Sequence, residues 1–516
     1  MQYMNCTSAT LPFTKTGYFT DIMTAYLQQA EPLRPFYKHA PGLEGIKASI
    51  EARKGFKGNR ALLVEELTRQ YAGMPESAQV QESLSLLLQP NTFTITTAHQ
   101  PVIFTGPLYF IYKILHAIKL AATLRQELPQ YQFVPVFYMG SEDADLDELG
   151  SIWLDGEKIT WETRQTGAVG RMNTKGLEKI INRVEGELGV QPFGAELVQL
   201  LKAAYLNSPD IQTATFKIIH ALFAEYGLVV LIPDNARFKQ LMLPVFEDDL
   251  FKQQPAAIVS RTIEQLSKHY KVQANPRDIN LFYLKDNIRG RIEKVKEGFA
   301  VVDTPLRFSE EAMRQELQQY PERFSPNVIL RGLFQETLLP NIVFIGGGGE
   351  MAYWLELAGL FEHYGVPYPQ LLLRNSFLLV EKKWQSRIAR LDFTAQDLFK
   401  SEQELLTVLV TRHKNGELKL AHELTEVEQL YRQLKQKAGH IDKTLEPHIE
   451  ALQTRAIRPL LELEKKMLRA EKRKYSDEQR QIHTIKNTLF PNNSLQERID
   501  SFMPYYAKWG RELIPM

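Results

Sequence analysis

A β-branched run, a glycine-bearing loop and a long apolar-faced helix, TITTAHQPVIFTGPLYFIYKILHAIK over residues 94–119, constrain this chain more than any other stretch. Residues 94–97 read as a buried strand, since β-branched side chains suit a pleated surface and polar residues bound the run. Pro101, Gly106 and Pro107 break that pattern into a loop. Beyond Pro107, Leu108, Ile111, Tyr112, Leu115 and Ile118 recur at helical spacing, with the proline at the first turn, where its missing N–H would be unpaired anyway. Together they form the first half of a βαβ unit. In an open parallel sheet, ligands collect outside the carboxyl ends of the strands, so His99, Gln100, Thr105 and Lys113 become candidates for lining a pocket.

Four further runs extend the pattern. Residues 133–139 (FVPVFYM) read as a second buried strand, ending in GSEDADLDE. Carboxylates crowded after a strand repel one another unless a cation, a basic side chain or water separates them. Mg²⁺ takes oxygen ligands, so Glu142, Asp143 and Asp145 could hold one; an acidic loop opening a helix is the competing reading. Asp155-Gly156 between alternating runs predicts a hairpin, and residues 227–232 return to the sheet, with Asp234 expected to cap the next helix. Around residues 280–303 lies a second β-rich insertion, whose Arg289 and Arg291 read as exposed strand residues or as contacts for an anionic ligand. Residues 341–345 form a strand that runs into Gly346 to Gly349 and then Glu350. This turn fails the GxGxxG spacing of dinucleotide sites, and Glu350 would repel phosphate at the helix N-terminus unless Arg331 or a metal compensates. Alternatively the glycines only permit close helix–sheet packing. Residues 370–373 lead into Arg374. Five buried strands with helical crossovers predict a doubly wound parallel α/β core.

Outside the sheet the chain changes character. Residues 1–90 look mostly helical, with Lys54, Lys57 and Arg60 either a solvated basic loop or a phosphate contact. Leu424, Val427, Tyr431, Leu434, Ala438, Ile441 and Leu445 step by three and four, a heptad seam interrupted at Pro447 and resumed at Leu460, which suits a helical hairpin or a dimerising coiled coil. The basic run KKMLRAEKRK reads as a solvated face or a nucleotide or nucleic-acid contact. The aromatic tail through Tyr505, Tyr506 and Trp509 is expected to pack back onto a core. The division drawn is a helical start to the core (1–90), core (91–150), insertion (151–215), core (216–255), second insertion (256–325), core (326–385) and a helical coiled-coil part (386–516). A net charge of +1 gives no general attraction to nucleic acid or anionic membrane. One cysteine, Cys6, excludes an intramolecular disulfide and a multi-thiolate zinc site. The opening MQYMNCTSATLPF lacks the basic and apolar regions of a signal peptide, and no apolar run reaches membrane-spanning length; a cytoplasmic protein is expected.

Several of these stretches resemble one family, the bacillithiol biosynthesis cysteine-adding enzymes (BshC), a cysteine ligase family. The likeness is carried by Gln100-Pro101 with Phe104-Thr105-Gly106-Pro107-Leu108-Tyr109, and by Glu142-Asp143 with Asp145. It continues through Leu330-Arg331, Gln335, Leu339-Pro340, Gly346-Gly347, Gly349-Glu350, Ala352-Tyr353-Trp354, Arg374, Ser376, Leu489-Phe490-Pro491-Asn492 and Leu495-Gln496-Glu497-Arg498, in order from end to end. The resemblance implies a Rossmann-like core laid out like class I aminoacyl-tRNA synthetases, connecting-peptide insertions and a C-terminal coiled coil forming a homodimer. It also implies addition of cysteine to the amine of glucosaminyl-malate. His99, Ala144 and Gly348 depart from the family pattern, which has glutamine, histidine and proline there; the loss at Ala144 removes an acid–base candidate.

Amide formation from a free carboxylate is uphill in water, so an activated cysteinyl species, an adenylate or phosphate made from ATP, is expected. Such a site must neutralise phosphate charge and position the amine. On this basis His99, Gln100, Thr105, Gly106 and Lys113 are expected on the nucleotide side. Glu142, Asp143 and Asp145 would hold the cysteine ammonium or Mg²⁺, the metal through Asp143 and Asp145. Glu350, Tyr353 and Trp354 would meet the sugar, and Arg331 and Arg374 the malate carboxylates or phosphates, with Gln335, Gly346 and Gly347 as further nucleotide- or substrate-binding candidates. Glu142, Asp143, Asp145 and Glu350 are the catalytic candidates; no zinc is expected. Two other classes stay open: a nucleotide-binding scaffold without chemistry, and an RNA- or tRNA-binding relative whose affinity would fall with salt.

Overall fold

The β-branched run becomes an eight-residue strand, Thr92–His99, in the computed structural model, which describes residues 6–413 and 419–514. The first five residues of the opening segment lie outside that description. The strand is central and covered on both faces, and three of its four threonine hydroxyls find partners away from water, that of Thr92 having none among the described residues. Thr94 and Thr96 donate to Asn341 Oδ1 at 3.1 and 2.8 Å, and Thr97 donates to the Ile345 carbonyl at 2.9 Å. Side chains that favour strands here also stitch two neighbouring strands together.

Four more strands, Gln132–Met139, Val229–Leu231, Asn341–Gly346 and Gln370–Leu373, complete a five-stranded sheet in the order fifth-fourth-first-second-third, every pairing parallel. The order reverses between the first and fourth strands, and a ligand crevice is expected at such a point. Helix Leu108–Glu127 follows the first loop, with Pro107 at its N-cap. Its Ala117, Ala121 and Leu124 pack with Phe93, Ile95, Phe133 and Ile342 of the sheet and with Ile46 and Ile50 of helix Leu43–Lys54. Each such large aliphatic or aromatic side chain contributes roughly 1.5–3 kcal/mol on burial. The fold is the doubly wound α/β core expected from the sequence, and Rossmann-like.

The first insertion is a short hairpin followed by helices, and the second is β-rich. Ser151–Leu154 pairs antiparallel with Glu157–Thr160 across Asp155 (φ +46°) and Gly156 (φ +80°), the left-handed pair that an Asp-Gly hairpin turn demands. The second insertion carries a five-stranded antiparallel sheet in which Leu281–Lys285 pairs with Ile288–Val295 and with Phe324–Pro326.

The chain divides into two units, one of Phe19–Phe377 together with the segment starting at Glu497, the other of Ser8–Tyr18 and Leu378–Gln496. In the first, helix Met503–Trp509 packs back as the tail reading anticipates: Tyr506 donates to Glu196 Oε1 at 2.6 Å and the Ala507 carbonyl accepts from Phe193 N at 2.8 Å. In the second, the heptad seam forms an antiparallel hairpin within one chain. Helix Ala421–Ile441 turns through Lys443–Leu445 into helix Glu446–Lys472, and Lys435 reaches Glu450 at 2.5 Å while Leu420 N reaches Glu464 at 3.0 Å. Pro447 sits in the first turn of the return helix, where a proline is tolerated. Among the described residues no helix is long and apolar enough to cross a membrane.

Candidate active site at the crevice between the first and fourth strands

Loops leaving the carboxyl ends of the strands bring most of the candidate residues to one rim. His99 ends the first strand; its Nε2 lies 3.1 Å from the Tyr109 hydroxyl and its Nδ1 3.0 Å from the Gln100 carbonyl. Burial, reinforced by the nearby Lys113 ammonium, pulls its pKa down to about 4, so the ring is neutral at pH 7. The loop then turns sharply through Phe104, Thr105 and Gly106, all at positive φ. Gly106 (φ +59°) is required, because a Cβ there would lie 2.7 Å from Val102 Cγ1. Thr105 is fully buried and its hydroxyl has no hydrogen-bond partner among the described residues.

Across the crevice, Gly347 caps helix Gly348–Leu355 and Glu350 stands in its first turn. Glu350 Oε2 accepts from Gly347 N at 2.8 Å and from Lys113 Nζ at 2.5 Å; Lys113, 1% exposed, also donates to the Ala98 carbonyl. Lys113 is therefore the cation that compensates Glu350, a role the sequence offered to Arg331 or a metal. Burial drives its pKa down, and Glu350 opposes the shift. Glu350 Oε1 carries no bond among the described residues, and the side chain keeps 27% of its exposure.

The loop after the second strand supplies Asp143. Its Oδ2 accepts from Gln100 Nε2 at 3.3 Å and Arg331 at 3.4 Å, and its Oδ1 lies 4.0 Å from Arg289. Burial would raise this carboxyl, but the Arg331 and Arg289 guanidinium groups outweigh it and hold the pKa down to about 2. Arg374, at the end of the fifth strand, is clamped by Glu497 Oε1 at 2.7 Å and lies 5.2 Å from the Tyr109 ring centroid. Tyr138, Gly140, Glu142, Pro233, Pro326 and Arg331 line a small cleft beside Asp143.

Other expectations need correcting. Trp354 does not face the crevice: it is 1% exposed, stacked 4.4 Å from the Phe344 ring, while its neighbour Tyr353 is half-buried. Consecutive helix residues point about 100° apart, so only one of the two can face the ligand side. Gln335 donates to Glu336 inside a buried network with Arg53 and Asn341, a framework role. Asp145 is exposed and caps helix Leu146–Leu149, its Oδ1 accepting from Glu148 N at 3.1 Å. With Asp145 so engaged and Asp143 surrounded by guanidinium groups and an amide, these residues do not fit a shared Mg²⁺, and no group of three potential metal ligands occurs among the described residues. Glu142 is buried in an ion pair with Lys239, and burial pushes its carboxyl up.

Asp234 is not the helix cap; Asn235 takes that role, and Asp234 forms a two-point pair with Arg171 at 2.6 Å. Lys54 pairs with Glu51, and Arg60 donates to the carbonyls of Leu87 and Thr92. Arg289, read as an exposed strand residue or an anion contact, has a side chain only 8% exposed. Lys239 and Arg171 carried no sequence signal, because they reach the site from distant segments.

A Rossmann-like sheet whose switch-point loops gather buried, ionised groups defines a small-molecule enzyme of the doubly wound class. Sequence models of bacillithiol biosynthesis BshC match in two parts, the N-terminal Rossmann-like domain over residues 4–375 and the C-terminal coiled-coil domain over residues 377–516. A protein of Flavobacterium johnsoniae is 38% identical over 98% of this chain and 96% of its own length. Others from Cytophaga hutchinsonii (38%, 94% and 92%) and Chlorobaculum tepidum (31%, 93% and 88%) are similar. All three bear the name "Putative cysteine ligase BshC". This chain belongs to the bacillithiol biosynthesis BshC family.

Proposed function

We propose that this chain is an ATP-dependent cysteine ligase that joins the cysteine carboxyl to the amine of glucosaminyl-malate. The observation that carries the reading is Glu350, a partly exposed carboxylate with one oxygen anchored by Lys113 and Gly347 N and the other free of bonds among the described residues. An anchored carboxylate with an open oxygen can accept a hydrogen bond from the neutral substrate amine and take its proton as the nitrogen attacks. ATP supplies the leaving group on the cysteinyl carboxyl; the amine forms the C–N bond there, the phosphate or adenylate departs, and the amine proton passes to Glu350 Oε1. His99, neutral and weakly basic, serves as a hydrogen-bonding group rather than the base. Tyr353, beside Arg331 and Glu350, meets the sugar. Arg374 stays a candidate for carboxylate or phosphate, and the cytoplasm is the compartment this biosynthetic reading implies. No step is assigned to a protein-held metal.

Incubating the purified protein with cysteine, ATP, Mg²⁺ and glucosaminyl-malate should give the thiol product by mass spectrometry, and Glu350→Gln should lower kcat at least 100-fold. Absence of product where the Flavobacterium johnsoniae protein makes it overturns the reading. A homodimer belongs to the same proposal: Leu430 and Ile441 of the hairpin stay 53% and 82% exposed, and light scattering at twice the chain mass is the expected result.

A further inference from the structure

Arg289 is the least satisfied buried cation near the crevice. It sits on strand Ile288–Val295 of the second insertion, opposite Leu284 in register, and its guanidinium lies 3.9 Å from the Phe282 ring centroid. Among the described residues its Nε is buried without a hydrogen-bond partner, and its only ion pair is Asp143 at 4.0 Å. Arg331, on helix Val328–Leu338, approaches the same carboxylate at 3.4 Å, a long contact for a charge-assisted bond. Two guanidinium groups thus share one carboxylate that neither grips well. A buried, planar donor fork with an empty Nε is costly unless something completes it. Arginine forks match carboxylates in a two-point geometry. Asp143 itself demonstrates that a carboxylate is accepted between them.

We propose that Arg289 and Arg331 form a carboxylate-binding subsite, in which a carboxylate of the amine-bearing substrate bridges the two guanidinium groups and Asp143 is the resident counter-ion that competes with it. This rests on the ligase reading for the identity of the substrate, not for the existence of the subsite. Arg289 brings its guanidinium from the second insertion and Arg331 from the core, so a bound carboxylate would strengthen the link that the long Asp143 contact makes between them. Gln100, already bonded to Asp143, holds the counter-ion in place when it is empty.

Titration calorimetry of the full chain with L-malate alone and with inorganic phosphate alone tests the proposal. Wild type should bind malate, Arg289→Gln should weaken it by 10-fold or more, and Arg289→Lys should recover only part. Asp143→Asn should tighten malate several-fold, because the competing carboxylate is gone; an arginine with a purely structural role predicts no such gain. Unchanged malate affinity in Arg289→Gln, or weaker binding in Asp143→Asn with an unaltered melting temperature, overturns the proposal. Phosphate binding at these residues without malate binding overturns the carboxylate assignment. If malate binds as described but the ligase assay yields no product, the functional reading falls and the subsite stands; product with no effect of Arg289→Gln on malate or on KM for the sugar does the reverse.

Discussion

At the scale of single residues, burial decides which charges are framework and which are chemistry. Arg53 and Glu336 are 2% and 0% exposed and 2.6 Å apart, and Glu336 also accepts from Gln335 and Asn341. Replacing Arg53 with Met strands a carboxylate in the core, so a loss of about 3–5 kcal/mol is expected in urea unfolding. His99 offers a pH signature. Its folded pKa of about 4 lies below the ordinary histidine value near 6.5, so the unfolded chain binds more protons through the window between them. Stability from this site is intact above about pH 6.5 and falls as pH drops towards 4. His99→Gln should remove that slope and gain about 2 kcal/mol on wild type between pH 7 and pH 5, read by urea unfolding at both values. Equal pH dependence in the two proteins would contradict a buried neutral ring.

Elements explain why the sequence disclosed some of this and withheld the rest. Strand Thr92–His99 and helix Leu108–Glu127 were readable because a β-branched run and a 3.6-residue apolar spacing are written in their own residues. Helix Gly348–Leu355 was readable as an element, yet its faces were confused. Met351, Trp354 and Leu355 form the apolar stripe, which already assigns Trp354 to the core and leaves Tyr353 for the crevice. Trp354→Ala should cost about 3–5 kcal/mol through the cavity left against Phe344 and Phe361. Tyr353→Phe should keep the melting temperature within a few degrees and raise KM for the sugar substrate. A melting-temperature loss in Tyr353→Phe equal to that of Trp354→Ala would reverse the two faces. For Arg289 the sequence left two readings open, an exposed strand residue or an anion contact, for the complementary reason: strand alternation tells which face a residue takes, not what another segment brings against it, and its 8% exposure removes the first.

At the scale of the whole molecule, the decisive information is long-range. The aromatic tail announces that the last segment of the chain returns to a core, but nothing local in Arg374 or Glu497 forecasts that this segment would seat a carboxylate on a strand end. Glu497 is fully buried, and besides Arg374 it accepts from Ser376 Oγ at 2.8 Å and Phe377 N at 3.0 Å. One side chain thus fixes the exit of the fifth strand and the direction of a guanidinium at the rim. Glu497→Gln keeps the size and one acceptor but leaves Arg374 buried without its counter-charge, a loss of roughly 3–5 kcal/mol. Arg374→Met in the same background removes the stranded charge, so the double variant should recover about half of that loss, the coupling expected of directly paired residues. Unfolding curves of the two single variants and the double variant give that coupling directly. Strict additivity would mean that Glu497 stabilises the strand exit through Ser376 and Phe377 alone, and that Arg374 is oriented by something other than the returning segment.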